Sequence, residues 1–370
     1  RFAKAALRTP ATPLQDRPGD AEQPEAPVMH WLQAGPVRMK FQDGELRTLS
    51  VAGREIIRRI YFAVRDARYD TVMPAFSEVS VTAAADAFTI RLAAVCTNDL
   101  AGFSWYGTIT GTADGTITFF VKGQADRDFK PPRIGLNVLY GTDALAGHAY
   151  ELFDKTGAST SAEFPRQVAA TRLSNSFRTL RYTTDDGLKV RVELAEGTFG
   201  MEDQRNFGDS SYKAFSGMPF AYMNIKKGEE GTQTLTIAVT GAPTNADTAV
   251  TPLRITLGGT LPGARLPQIV ATNATRVDFG GINGNPDLHT AAPELVWGFN
   301  VALHLPDDDT FMENIPAIAD QVKTVRTWAP QAKIRIDPVT FRSPYPRPSR
   351  DPRFQSPFGS AWVVRMMKHL

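Results

Sequence analysis

The chain has 370 residues, 42% hydrophobic and 22% charged, the usual balance of a soluble globular protein. A net charge of +2 leaves no electrostatic footprint for nucleic acid, and no apolar run approaches the roughly 18 residues of a membrane span. Cys96 is the single cysteine, which excludes intrachain disulfides and thiolate zinc clusters. With no secretory h-region near the start, a reducing, cytoplasmic setting is expected.

Residues 1–27 are rich in Pro, Ala and charge without a sustained period and are expected to be disordered. From Val28 onward the pattern is β. Pro36–Phe41 alternates, Asp43-Gly44 signals a hairpin turn, and Leu46–Leu49 resumes. Ile56–Val64 reads as a mostly buried strand. Further strands are predicted over Glu78–Thr82, Ala87–Ala94, Phe103–Gly111, Gly115–Ala125, Ile134–Tyr140, His148–Phe153, Thr179–Thr183, Leu188–Ala195, Ala221–Lys226 and Gly231–Val239. Turn signals about every ten residues, with no long 3.6-residue period, predict a β-sandwich over residues 28–250.

Residues 201–215 break this rhythm. Glu202, Asp203, Arg205, Asn206, Asp209 and Lys213 crowd a stretch too polar for a simple core strand. Such density predicts either a solvated loop or a network of polar groups serving one another, a ligand or a domain boundary.

After about residue 250 the period changes. Glu294–Asn300 reads as a buried strand, Asp308–Trp328 as one helix capped by Asp308 or Asp309, Lys333–Ile336 as a short strand, and Ser360–Leu370 as an amphipathic helix. This βα rhythm over residues 251–370 predicts a barrel or a doubly wound sheet. The residues from Pro262 onward are fewer than half of the about 250 that a complete barrel takes, so the barrel is expected to be partial. A first residue other than Met and a final helix with no stop signal lead us to expect a fragment, truncated at the C-terminus.

In a barrel, polar residues just beyond a strand's C-terminal end line the catalytic mouth. Asn300 and His304 hold such positions. Asn283 lies in Gly280-Gly281-Ile282-Asn283-Gly284-Asn285, whose plain reading is a tight turn. Arg342, Arg347, Arg350 and Arg353 stand among prolines, in a pattern that reads as a solvated or interface loop. No nucleophile elbow, Walker loop, zincin motif or metal-ligand spacing is present, so no metal or other cofactor is expected.

The stretch Met201-Glu202-Asp203-Gln204-Arg205-Asn206, followed by Asp209, Ser211 and Lys213, resembles the D-apionate lactonase family. In that family it reads Glu-Asp-Gln-Arg-Asn-Trp and then Thr-Asp-Ala-Ser-Phe-Lys. The resemblance continues through Ala52–Tyr61, Ala63–Asp66, Gly107–Gly111, Asn300–Asn314, Pro338–Thr340 and Asp351–Trp362. It implies a β-sandwich followed by a TIM-type barrel, and hydrolysis of a small sugar lactone. It also implies that early barrel elements are missing between about residues 268 and 272, and that Gly281 stands where relatives carry a Glu.

On this resemblance His304 is the expected catalytic base, and Asn283 and Asn300 are the expected hydrogen-bond donors to substrate. Glu202, Asp203, Arg205, Asn206, Asp209 and Lys213 form the expected interdomain or site-edge network. A small sugar lactone is the expected partner, with no nucleic acid or membrane, and the oligomeric state is left open. The alternative is a non-catalytic carbohydrate-binding or decayed relative. A glycoside hydrolase ranks lower because no facing carboxylate pair can be placed.

Overall fold

The computed structural model describes residues 29–218, 224–241, 278–287, 289, 293–302, 307–340, 353 and 356–369. Two large sheets dominate it, with antiparallel pairing between neighbouring strands. The first sheet has eight strands in the order β1 (Met29–Ala34), β2 (Val37–Gln42), β3 (Glu45–Val51), β4 (Arg54–Val64), β9 (Ile134–Gly141), β16 (Ser211–Ser216), β15 (Phe199–Asp203) and β12 (Ser174–Phe177). The second has nine, ordered β11 (Ser159–Glu163), β10 (Ala149–Phe153), β13 (Thr179–Thr183), β14 (Lys189–Leu194), β17 (Glu230–Thr240), β8 (Ile117–Ala125), β7 (Gly102–Gly111), β6 (Phe88–Thr97) and β5 (Pro74–Ala83).

The sheets pack face to face. Phe62 of β4 meets Phe103 and Trp105 of β7 with ring centroids 6.3 and 5.0 Å apart, and Tyr182 of β13 donates its hydroxyl to the carbonyl of Ile56 at 2.5 Å. One continuous core draws on both sheets, including Met39, Ile60, Leu136, Ile109, Phe119 and Leu235. Strands β6 and β17 bury alternate residues, as the period-2 pattern predicts for a sheet with one wet face.

The first sheet is covered on both faces at its centre. Every residue of β9 and β16 is buried. This corrects the reading of residues 201–215 as too polar for a core strand. Ser211–Ser216 is a fully buried strand, and Phe199–Asp203 is buried except at Glu202; a 3₁₀ turn over Gln204–Phe207 joins them. Tyr212 and Ala214 enter the sandwich core, while Ser211, Lys213 and Phe215 lie on the opposite face, which is also removed from water.

The remaining described residues form a small α/β unit. Strands β18 (Glu294–Asn300) and β19 (Lys333–Thr340) pair in parallel, and Asp278 bridges in parallel to Gly298. The predicted helix over Asp308–Trp328 is two helices, Asp308–Asn314 and Ala317–Trp328, broken at Ile315-Pro316. A proline cannot donate to the helical ladder and clashes with the preceding turn. The cap is Asp307 rather than Asp308 or Asp309, its carboxylate accepting from the amide of Thr310 at 2.9 Å. Gly280–Asn283, read as a turn, belongs to a short helix over Phe279–Asn283 capped by Asp278. The last helix runs Pro357–His369. A closed barrel is not seen among the described residues. Residues 1–28, the 242–277 segment, the first half of the predicted strand Ala221–Lys226, and Arg342, Arg347 and Arg350 lie outside them.

Candidate functional site

Arg205 sits at the boundary between the sandwich and the α/β unit, with its side chain 1% exposed. Its Nε and Nη2 donate to the two carboxylate oxygens of Asp203 at 3.0 and 2.7 Å. Its remaining N–H groups reach the carbonyls of Pro165, Arg166 and Gln167 and the carboxylate of Asp320. Burial disfavours the guanidinium, but Asp203 outweighs it and keeps Arg205 charged. Gln321 donates to the Arg205 carbonyl at 2.6 Å and accepts from the Trp297 indole at 2.8 Å. One side chain thus ties a sandwich turn to a helix and a strand of the α/β unit.

Asn206 donates to the carbonyl of Ala169 at 2.7 Å and accepts from the amide of Asn283 at 3.0 Å. The Asn283 amide also donates to the Val168 carbonyl. Both of its N–H groups are therefore engaged by protein. Asn300 ends β18, and its side-chain oxygen accepts from Ala302 N at 2.8 Å. Gly208 approaches it closely. At φ +81°, a Cβ on Gly208 would lie 2.6 Å from the Asn300 carbonyl oxygen, so only glycine fits without rearrangement. Ser210 donates its amide to the Asn314 side chain at 3.2 Å.

The other residues of this polar stretch serve the sheet. Glu202 pairs with Arg133 at 3.3 Å, and Asp209 accepts from Ser211 at 2.6 Å. Lys213 is 2% exposed and has no carboxylate within 4.0 Å among the described residues. Burial, then Arg65 and Arg133, push its amine well below the usual lysine range. His304 lies outside the described residues, three positions before Asp307 in the chain.

A second group, which the sequence reading did not single out, lies on the outer face of the first sheet. Arg47 of β3 and Arg59 of β4 stand directly opposite each other, an arrangement that costs energy unless anions intervene. Glu45 accepts from Arg59 Nε at 2.6 Å, and Asp307 accepts from Arg47 Nη1 at 2.7 Å. Thr310 Oγ1 accepts from both arginines, at 2.8 and 3.1 Å. Burial works against ionisation of Asp307, but Arg47 and Arg59 prevail and hold its carboxyl far below the usual carboxylate range. The available signal was a pair of arginines, Arg58 and Arg59, inside an otherwise apolar strand, since charge is rarely buried without a partner.

Beside this cluster opens a cavity of about 320 Å³. Arg47, Arg59, Tyr61, Asp43, Glu45 and Asp307 form its polar side, and Phe62, Phe76 and Trp105 its aromatic side. The turn at Asp43-Gly44 admits Phe76. A Cβ on Gly44, which has φ +78°, would fall 2.1 Å from that ring. Among the described residues no group of three or more His, Cys, Asp or Glu is placed to hold a metal ion, and no helix is long and apolar enough to cross a membrane.

Two packed antiparallel sheets, with an α/β unit docked on the outer face of one, define a large β-sandwich protein with an appended α/β segment. Residues 19–242 match the family described as D-apionate lactonase, N-terminal domain, and the chain belongs to that family. D-apionate lactonase of Brucella anthropi is 25% identical over 358 residues, a match covering 89% of this chain and 58% of the relative's length. Solved structures with similarity include a GalM/aldose epimerase homologue from C. elegans, with TM-score 0.40 and 9% identity over 58% of this chain and 99% of that one. A galactose mutarotase-like protein from Lactobacillus casei has TM-score 0.39 and 9% identity over 58% of this chain and all of that one.

Proposed function

We propose that the chain is a sugar-lactone hydrolase of the D-apionate lactonase type, built as a sandwich of about residues 28–250 followed by part of a TIM-type barrel. The observation that carries this reading is the 25% identity to D-apionate lactonase, which runs through both the sandwich and the α/β unit. His304 is the proposed base. It draws a proton from water, the oxygen attacks the lactone carbonyl carbon, and the ring C–O bond breaks as the departing oxygen regains a proton. The free acid formed then releases its proton to solvent. Asn300 is the proposed donor to substrate. The Asn283 amide is engaged by Val168 and Asn206, so its proposed part is to hold the boundary in place.

A panel of five-carbon sugar lactones, followed by proton release, tests the reading. We expect saturable turnover that falls by roughly 10² or more in His304→Ala with an unchanged melting temperature. Background rates across the panel would overturn it. A second reading, carbohydrate binding without turnover, is favoured by Gly281, which the family resemblance sets where a Glu is expected. Lactone binding measured by calorimetry with no proton release would select it.

A further inference from the structure

The cavity lies at the end of the β2–β3 hairpin, between Arg47, Arg59 and Tyr61 on the outer face of the first sheet and the rings of Phe62, Phe76 and Trp105 on its core side, and is a site in its own right. Its polar side carries two arginines and three carboxylates: Arg47 is paired with Asp307 and Arg59 with Glu45, which leaves Asp43 as a further negative charge. An anionic guest would compete with Glu45 and Asp307 for guanidinium groups that are already paired. Tyr61 is 3% exposed, lines the cavity, and makes no hydrogen bond to another described residue. An apolar guest would leave that hydroxyl unpaired, and a buried polar group without a partner is costly. Opposite it, Phe62, Phe76 and Trp105 present aromatic surface. A carboxylate offers about four lone-pair sites; Asp307 uses three of them on Arg47 and on the amide and hydroxyl of Thr310, while Glu45 and Asp43 keep more in reserve. The volume lies at the small end of the range for ligand pockets.

A guest that satisfies all of these has C–H groups for the rings, several hydroxyls for the carboxylates and Tyr61, no negative charge, and the size of one sugar unit. We propose that this cavity binds a neutral monosaccharide ring. The proposal goes beyond the lactonase reading and does not depend on hydrolysis.

Calorimetric titration of the whole chain with methyl pentosides, which contain no lactone to hydrolyse, and with the sodium salts of pentonic acids tests it. We expect saturable binding of the neutral glycosides, and at least tenfold weaker binding of the pentonates. Tyr61→Phe, which keeps the ring and its packing, should weaken glycoside binding about fivefold with an unchanged melting temperature. Gly44→Ala, which displaces the Phe76 ring, should weaken it further. No saturable heat with any glycoside, equal affinity for the acids, or wild-type affinity in Tyr61→Phe would each overturn the site. Failure of the proton-release assay with glycoside binding intact would count against the lactonase reading alone. Lactone turnover without glycoside binding would count against this cavity alone.

Discussion

Arg205 shows how one side chain can be both a family signature and a structural part. Its guanidinium is divided among Asp203, Asp320 and three carbonyls from residues 165–167. Removing it leaves the Asp203 carboxylate buried without its partner, which costs about 3–5 kcal/mol in comparable cases. Arg205→Ala should therefore lower the denaturation midpoint strongly, and Arg205→Lys should rescue little because an ammonium cannot reproduce the planar fork. An unchanged midpoint with lost turnover would instead place Arg205 in the chemistry. Gly208 yields a sharper test at the same scale. Its positive φ and the 2.6 Å approach to the Asn300 carbonyl predict that Gly208→Ala destabilises the protein by about 1–3 kcal/mol, measurable by denaturant titration.

Strand β16 and the helix Asp308–Asn314 carry the titration behaviour. The buried Lys213 amine is held below its ordinary range, so the unfolded chain binds its proton more tightly than the folded one. Stability from this residue therefore rises with pH up to the unfolded value near 10.4. Lys213→Met should be more stable than wild type at pH 7, with the gap closing toward pH 10; melting temperatures at both pH values check this. Glu313, on the helix, behaves in the opposite sense. Burial pushes its carboxyl up to about 7 in spite of Arg58 and Arg47. The folded state then holds a proton that the unfolded state has lost, and stability falls as pH rises from about 4.3 to 7. Glu313→Gln should flatten that part of the stability profile, and an unaltered slope would contradict the assignment.

At the scale of the whole molecule, the sandwich and the α/β unit share buried polar contacts through Arg205–Gln321 and Asn206–Asn283 and partly buried ones through Arg205–Asp320 and Arg47–Asp307. Breaking one partner of such a contact strands the other, so the two parts should unfold together. Trp105 lies in the sandwich and Trp297 in the α/β unit. Fluorescence of single-tryptophan variants retaining one or the other should report coincident transitions. Adding Asp320→Asn with Gln321→Leu should separate them, and coincidence that survives this change would show that other contacts set the cooperativity.

How much of this was readable beforehand follows from the range over which each cause acts. Period-2 alternation and turn residues act within a strand and its hairpin, so β6, β7, β8, β13 and β17 were legible to within a few residues. Strand β16 was not, because the groups that surround it are distant in the chain, such as the Pro165 and Leu136 carbonyls to which Tyr212 and Ser216 donate. Lys213 faces Leu139 and Glu202 across the sheet, and Ser210 meets Asn314. The Pro316 break lay in plain view, yet the apolar spacing across it mimicked a single helix. Arg47 and Arg59 carried no motif; they acquire meaning only because strands β3 and β4 set them side by side and Asp307 arrives from the α/β unit.

The sequence by itself determined the all-β character of residues 29–241, the change of period that follows, and family membership through the run from Glu202 to Lys213. These depend on local pattern and residue identity. Only the tertiary structure decided that this polar run is buried, that Asn283 is held by Asn206 and Val168, and that Tyr61 lines a cavity beside a paired cluster of opposite charges. Those features are set by which strands become neighbours, and strand pairing across a large sandwich joins residues too far apart in sequence for local patterns to record.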